Sequence, residues 1–358
     1  MAVTLAEVAA HAGVSPATVS RVLNGGYPVA GGTRTRVEQA VEELGYIANG
    51  PARALAAATS DLVGVLVHDV ADSFFGILAG SLQSALAPTG RGDARRLAVV
   101  CNTEGDPAAE LAYLALLEGQ RAGGVVLTGG AAEDPEHTSA LAARVARMAA
   151  TGAPVVLCGR PPLTLPAALP VATVMFDDHG GAFRLAEHLL TLGHRRIAYI
   201  AGPPGLSTTR ERLAGHRAAL LRHDPGLPEA CADLTLHAGF ARSAGYDATR
   251  ELLRRGAPFT AIAAANDTVA TGVAAALREA GIRIPEDVSV AGFDDLPFCA
   301  DTAPALTTVR VPLREAGILA AHLVTGRRPL PPGGITTLPT ELMVRASTAP
   351  APVEGSHP

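Results

Sequence analysis

Between Val14 and Asn24 the chain reads VSPATVSRVLN, a stretch that carries Ser15, Thr18, Ser20 and Asn24 together with one arginine, Arg21, among apolar valines. A helix that only packs has no need of four hydroxyl or amide side chains and a guanidinium. Hydroxyls and amides donate and accept hydrogen bonds, and a guanidinium donates five in a fixed fork, so a face displaying them is equipped to grip a polar partner.

Three short helices must position that face. Thr4 followed by Glu7 has the spacing of a capping box, and Val8 and Ala9 then supply an apolar side before Gly13 ends the helix. Ser15 is a good N-cap with Pro16 in the first helical position, and Val19, Val22 and Leu23 recur at helical spacing. With the valines turned inward, Thr18 and Arg21 lie on the opposite face, with Ala17 and Ser20 beside them. A third helix is predicted from Thr33 to Leu44, with Val37, Ala40, Val41 and Leu44 inward and Gly45 as its stop. The two helices joined at HAGVS have the length and turn of a helix-turn-helix, whose second helix can enter the DNA major groove. A helical pair inside an ordinary bundle has the same outline.

From Asp61 onward the texture changes. The runs LVGVLV, LAVVC, GGVVLT, PVVLC, VATVMF, RIAYIAG, AIAAAND and VSVAGFDD read as buried strands, separated by helical stretches such as Phe74 to Ala87, Gly180 to Leu192 and Thr268 to Ala280. This alternation predicts an α/β fold with parallel sheets covered by helices on both faces, and the number of units predicts two sheets. The proline-rich Arg160 to Pro170 reads as a loop between the sheets, and APAPVEGSHP, 349–358, as a disordered tail.

At 358 residues the chain is long enough for two or three domains, and its 48% hydrophobic content with 4% aromatics describes an ordered, alanine- and valine-rich protein. Met1 to Ala10 enters a capped helix instead of an apolar export segment, and no apolar run is long enough to span a bilayer, so a cytoplasmic protein with no membrane partner is expected. Cys101, Cys158, Cys231 and Cys299 stand far apart, which suggests reduced core residues and no metal site. The net charge of -5, taken alone, argues against nucleic acid. Residues 1–58 are formally neutral, with Arg21, Arg34, Arg36 and Arg53 against Glu7, Glu38, Glu42 and Glu43, and all 29 basic residues of the chain are arginine. Dinucleotide, P-loop and hydrolase-elbow motifs are absent, so neither an enzyme nor a cofactor is expected. A solute-binding receptor is the remaining rival, but it has no use for a helix-turn-helix.

Taken together, TLAEVAAHAGVSPATVSRVLNGG and VEELGYIAN resemble the DNA-binding headpiece of the LacI/GalR family of transcriptional regulators. DSFFGILAGSLQSA, GHRRIAYIAGP, ERLAGHRAAL, AIAAANDTVATGVAAALREAGIRIPEDVSVAGFDD and PALTTVRVP resemble that family's two-lobed, periplasmic-binding-protein-like ligand domain. The resemblance implies a headpiece over 1–48, a hinge helix over 49–59 and an effector-binding and dimerisation domain over 60–348. Its first lobe would comprise 61–173 with 311–338, and its second 174–309 with 339–348. Thr4, Ser15, Thr18, Ser20 and Asn24 match phosphate-contacting positions, where short polar groups fix register on the duplex. Pro16, Ala17 and Arg21 match base-reading positions, of which only Arg21 can pair with guanine. Leu55 matches a wedge that enters the minor groove. Ala30, Gly32 and Ala48 depart from common family residues, and with the neutral headpiece they imply a weak salt dependence of DNA binding.

The same resemblance places a small effector between the lobes, walled by Phe74 and Phe75 on one side and Phe240 on the other. Arg212, Asn266 and Asp294 match polar effector-binding positions, with Thr208 as an accessory. Each has a plainer reading: Asp294 could cap a turn, and Arg212 could be a solvated helix residue. A sugar is the expected effector, yet Gly159 stands where several sugar-binding relatives carry aspartate, and two phenylalanine walls also suit a nucleoside or purine. Without a C-terminal leucine heptad the resemblance implies a homodimer that binds palindromic double-stranded DNA.

Overall fold

The computed structural model describes residues 3–24, 29–46, 60–87, 96–166 and 168–352. The first helix, α1 (Leu5–Ala12), is held by the expected capping box: the Thr4 hydroxyl accepts from the Glu7 N–H at 3.3 Å, and the Glu7 carboxylate accepts from the Thr4 N–H at 2.6 Å. In α2 (Pro16–Asn24) the Ser15 hydroxyl accepts from the Thr18 N–H at 3.2 Å, which satisfies an otherwise orphaned donor. The third helix, α3 (Gly31–Glu43), begins ahead of the expected Thr33 because the N–H groups of Thr33 and Arg34 both donate to the Ala30 carbonyl, winding two glycines into the first turn. Val8, Ala9, Ala12, Val19, Val22, Val37 and Ala40 form the small core of this unit.

The remainder alternates strands and helices. The strands are β1 (Leu62–Val67), β2 (Leu97–Asn102), β3 (Gly124–Thr128), β4 (Val155–Cys158), β5 (Val171–Phe176), β6 (Ile197–Ala201), β7 (Thr235–His237), β8 (Ala261–Ala264), β9 (Ser289–Ala291), β10 (Thr308–Arg310), β11 (Ile335–Leu338) and β12 (Glu341–Met343). The principal helices are α4 (Ser73–Ala85), α5 (Pro107–Gly119), α6 (Pro135–Ala150), α7 (Asp178–Thr191), α8 (Ser207–His223), α9 (Arg242–Arg255), α10 (Asp267–Glu279) and α11 (Leu313–Val324). One parallel sheet has the order β11-β5-β4-β3-β1-β2 and a second β7-β6-β8-β9, while β10 and β12 pair antiparallel. Successive residues of a strand face opposite sides, and the first sheet uses both. Val126 and Val156 pack with Leu78, Leu82, Ala316 and Ala320 of α4 and α11, whereas Val125, Leu127, Val155 and Leu157 pack with Leu114, Leu117, Leu141 and Val145 of α5 and α6.

Three expectations need correction. The proline-rich segment is a loop, but it joins β4 to β5 within the first sheet and does not run between sheets. Strand β5 continues to Phe176, past the expected lobe boundary at 173, because its far end pairs with Leu338 of β11. The tail is not disordered from 349 onward: the Ala349 carbonyl accepts from His194 Nε2 at 3.0 Å and the Ala351 N–H donates to the Leu192 carbonyl at 2.8 Å. Residues 353–358 and the whole hinge segment 49–59, including Leu55, lie outside the described residues. Among the described residues, no helix is long and apolar enough to cross a membrane.

Candidate functional site

On α2 the side chains separate as their spacing predicts. Val19 and Val22 are buried, while Ser15, Pro16, Ala17 and Arg21 are exposed and Thr18 and Ser20 are half-buried. Ser15 and Thr18 lie hydroxyl to hydroxyl at 2.9 Å, so each is oriented by the other and retains hydrogen-bonding capacity toward solvent. Thr4 is exposed at the start of α1. Asn24 is the last residue of α2.

The second candidate site is a cleft of about 1030 Å³ between the two sheets, and it is lined by Phe74, Phe75, Thr208, Arg212, Phe240, Asn266 and Asp294. These residues come from segments up to 220 positions apart in sequence, Phe74 to Asp294. They meet because each follows the carboxyl end of a parallel strand or lies in the first two turns of the next helix, where open α/β sheets place their crevice. The chain leaving β1 turns at Asp72, whose carboxylate accepts from the Phe74 N–H at 2.9 Å and so starts α4. That cap directs two rings into the cleft: Phe74 and Phe75 meet edge to face at 5.0 Å, and Phe74 meets Phe176 the same way at 6.4 Å. Burial pushes the Asp72 carboxyl above its ordinary range.

Opposite them, the Phe240 ring lies directly over Gly202, where any Cβ would stand 2.4 Å from the ring. Asn266 fixes this wall from below. Its Oδ1 accepts from the Val269 N–H at 2.7 Å to cap α10, and its Nδ2 donates to the Phe240 carbonyl at 3.3 Å. Arg212 is buried, which removes the solvated-helix reading. Its guanidinium donates to Asp178 at 2.7 Å, to the Ala265 carbonyl at 2.7 Å and to Asp294 at 3.2 Å, and it stacks 3.7 Å over Phe293. Burial opposes its charge, but the two carboxylates outweigh burial and hold it firmly protonated. Burial raises the pKa of both Asp178 and Asp294, and Arg212 is the first influence opposing that rise. Asp294 lines the cleft at a position of positive φ, 113°, and the bond its carboxylate accepts is the one from Arg212.

Several lining residues escaped sequence reasoning, among them His68, Asn102, Glu104, Phe176, Arg242 and Phe298. His68 and Asn102 end or follow β1 and β2, so the strand pattern itself was a usable signal. Burial, then the charge of Arg160, depress the His68 pKa to about 4, so at neutral pH it offers a donor and a lone pair without charge. Asp178, the main partner of Arg212, stands in FDDHGG directly after β5 and was also missed.

At one edge of the cleft the lobes are strapped together. The Ser207 N–H donates to the Ala131 carbonyl at 3.0 Å, the Ala131 N–H donates to the Ser207 hydroxyl at 3.0 Å, and the Glu133 N–H donates to the Gly205 carbonyl at 2.7 Å. Arg210 adds an ion pair to Glu133 at 2.5 Å.

Comparison with known proteins covers both sites. Residues 4–49 match the model for bacterial regulatory proteins of the lacI family, and residues 186–348 match the periplasmic binding protein-like domain. The transcriptional regulator DegA of Bacillus subtilis is 33% identical over 98% of this chain and 99% of its own length. The lac repressor dimer, solved with operator and the anti-inducer ONPF, superposes with a TM-score of 0.76 at 29% identity, covering 98% of this chain and all of that one. A CelR-cellobiose complex superposes at 0.66 with 33% identity, covering 96% and 99%.

Proposed function

Because the chain belongs to the lacI family of bacterial regulatory proteins, we propose that it is a ligand-controlled repressor that binds a near-palindromic operator as a homodimer and takes a sugar in its cleft. The observation that carries this reading is convergence: seven residues scattered from Phe74 to Asp294 line one cleft. Its aromatic walls suit the C–H faces of a sugar ring, and its fixed Arg, Asn and Asp groups suit the ring hydroxyls. The solved relative holding cellobiose supports the same chemistry.

On the DNA side, Arg21 pairs with a guanine edge, Pro16 and Ala17 make apolar contact, and Thr4, Ser15, Thr18, Ser20 and Asn24 hold phosphates. Leu55 wedges the operator centre. A second copy is supported by strand β2 at the edge of the six-stranded sheet, where Leu97, Val99 and Val100 are all exposed. Apolar residues showing on both faces of an edge strand invite a partner. The protein acts in the cytoplasm by binding and not by catalysis. Control arises because the effector binds the DNA-competent and DNA-incompetent arrangements with different affinities.

The test is to select duplexes from a randomised pool with the full-length protein, then titrate the affinity of the recovered duplex with sugars and nucleosides. A two-fold symmetric site whose affinity changes by about tenfold with a sugar is expected. Recovery of no symmetric site refutes the repressor reading, and a response to nucleosides alone refutes the sugar.

A further inference from the structure

A second cavity of about 200 Å³ adjoins the cleft and shares Gly159, Phe176 and Thr208 with it. Its apolar surface is Pro161, Met175 and Phe176, and its polar rim includes Asp177, His179 and Thr337. Gly159 stands at the junction. It has φ of +79°, and a Cβ there would meet the Phe176 ring at 3.1 Å, so the position is left without a side chain between the two spaces. The rim is fixed from behind by Arg160, which donates to the Gly129 carbonyl at 3.2 Å, the Thr128 carbonyl at 3.0 Å and Glu110 at 2.8 Å. Thr208, common to both cavities, is half-buried, and its hydroxyl makes no hydrogen bond to another described residue.

We propose that this side cavity is a second sugar subsite, so that the effector is an uncharged disaccharide or longer saccharide. The inference rests on the sugar reading of the cleft. One ring lies between Phe74, Phe75 and Phe240, and the next passes Gly159 to rest its C–H face on Pro161 and Met175. There its hydroxyls meet Thr208, His179 and Asp177. An anionic second unit is disfavoured because both cations at the cavity are already matched: Arg160 by Glu110, and Arg210 by Glu133 and Glu211. The Asp177 carboxylate keeps an exposed share while also capping the Gly180 N–H at 3.0 Å.

The test is calorimetric titration of the full-length protein with glucose, galactose and ribose against cellobiose, maltose, lactose and trehalose, repeated on Thr337→Trp and Phe240→Ala. Thr337 is an exposed rim residue of β11, so tryptophan fills the side cavity without entering the core. At least one disaccharide is expected to bind about tenfold or more tightly than its component monosaccharides. Thr337→Trp should abolish that advantage while leaving monosaccharide and operator binding intact, and Phe240→Ala should weaken both sizes of sugar. Equal affinity for mono- and disaccharides, unchanged by Thr337→Trp, overturns the second subsite and leaves the sugar reading standing. Binding of no sugar of either size overturns the sugar reading itself.

Discussion

Replacing Arg212 with methionine tests the centre of the cleft. The variant keeps an unbranched chain against Phe293 but removes three hydrogen bonds and the only counter-charge bonded to both Asp178 and Asp294 among the described residues. Breaking a buried pair by deleting one partner costs about 3–5 kcal/mol, because the remaining charge is stranded without water. At roughly 2–4 °C per kcal/mol for a unit of this size, melting should fall by about 6–20 °C. The deficit must depend on pH. Both carboxyls already have raised pKa values through burial, and loss of the guanidinium raises them further. A carboxyl raised by folding stabilises the fold while protonated and loses that contribution as pH rises through the folded value. The gap between variant and wild type should therefore be widest near pH 8 and narrow toward pH 5. Thermal melts at both pH values, with Arg212→Lys as a charge-retaining control, supply the measurement. A variant that melts within about 2 °C of wild type at pH 8 refutes the claim that Arg212 neutralises this site.

Three further outcomes are expected. Arg21→Ala should lose about 1–3 kcal/mol of discrimination against a changed guanine pair, read by competition between operator variants at a temperature where thermal melts show both proteins folded. Asp72→Ala should cost about 0.5–2 kcal/mol through loss of the α4 cap and weaken sugar binding by freeing Phe74, read by chemical denaturation and calorimetry. Glu133→Gln should change stability by no more than about 1 kcal/mol, since its partner Arg210 is largely exposed, yet shift the effector concentration at the midpoint of the change in DNA affinity.

What was legible in the sequence follows from range. The headpiece was visible because its determinants are local: a Thr4–Glu7 box, a Ser15–Pro16 start and valines one turn apart each act within a few residues. The eight apolar runs are visible for the same reason: burial on both faces leaves few polar positions in a strand, and the edge strand β2 is apolar although largely exposed. Strands β7, β10, β11 and β12 are not, because their three or four residues include Thr, His, Arg or Glu and they are held by partners elsewhere, as β11 is by β5. Composition alone puts the proline-rich loop between the sheets. Which strand its far end joins is decided by pairing between Val171–Val174 and Val155–Cys158, which composition does not encode. In the cleft, family resemblance located Arg212 and Asp294 but not Asp178, whose tie to Arg212 exists only after α7 and α8 pack together.

The same geometry explains how a ligand in the cleft can be felt elsewhere. Phe74 and Phe75 belong to the lobe of the first sheet, whereas Phe240, Asn266 and Arg212 follow strands or begin helices of the second, so any molecule touching both sets favours one inter-lobe angle. That preference competes with the strap at Ala131, Glu133, Ser207 and Arg210, which joins the same lobes without a ligand. Thr208 lies next to Ser207 of the strap and lines both cavities, so a ligand held at Thr208 would sit one residue from the strap. A ligand shifts the equilibrium only by the difference between its affinities for the two angles, and the strap sets the starting balance on which that difference acts. Loosening the strap should therefore move the response to effector without altering the contacts that select it.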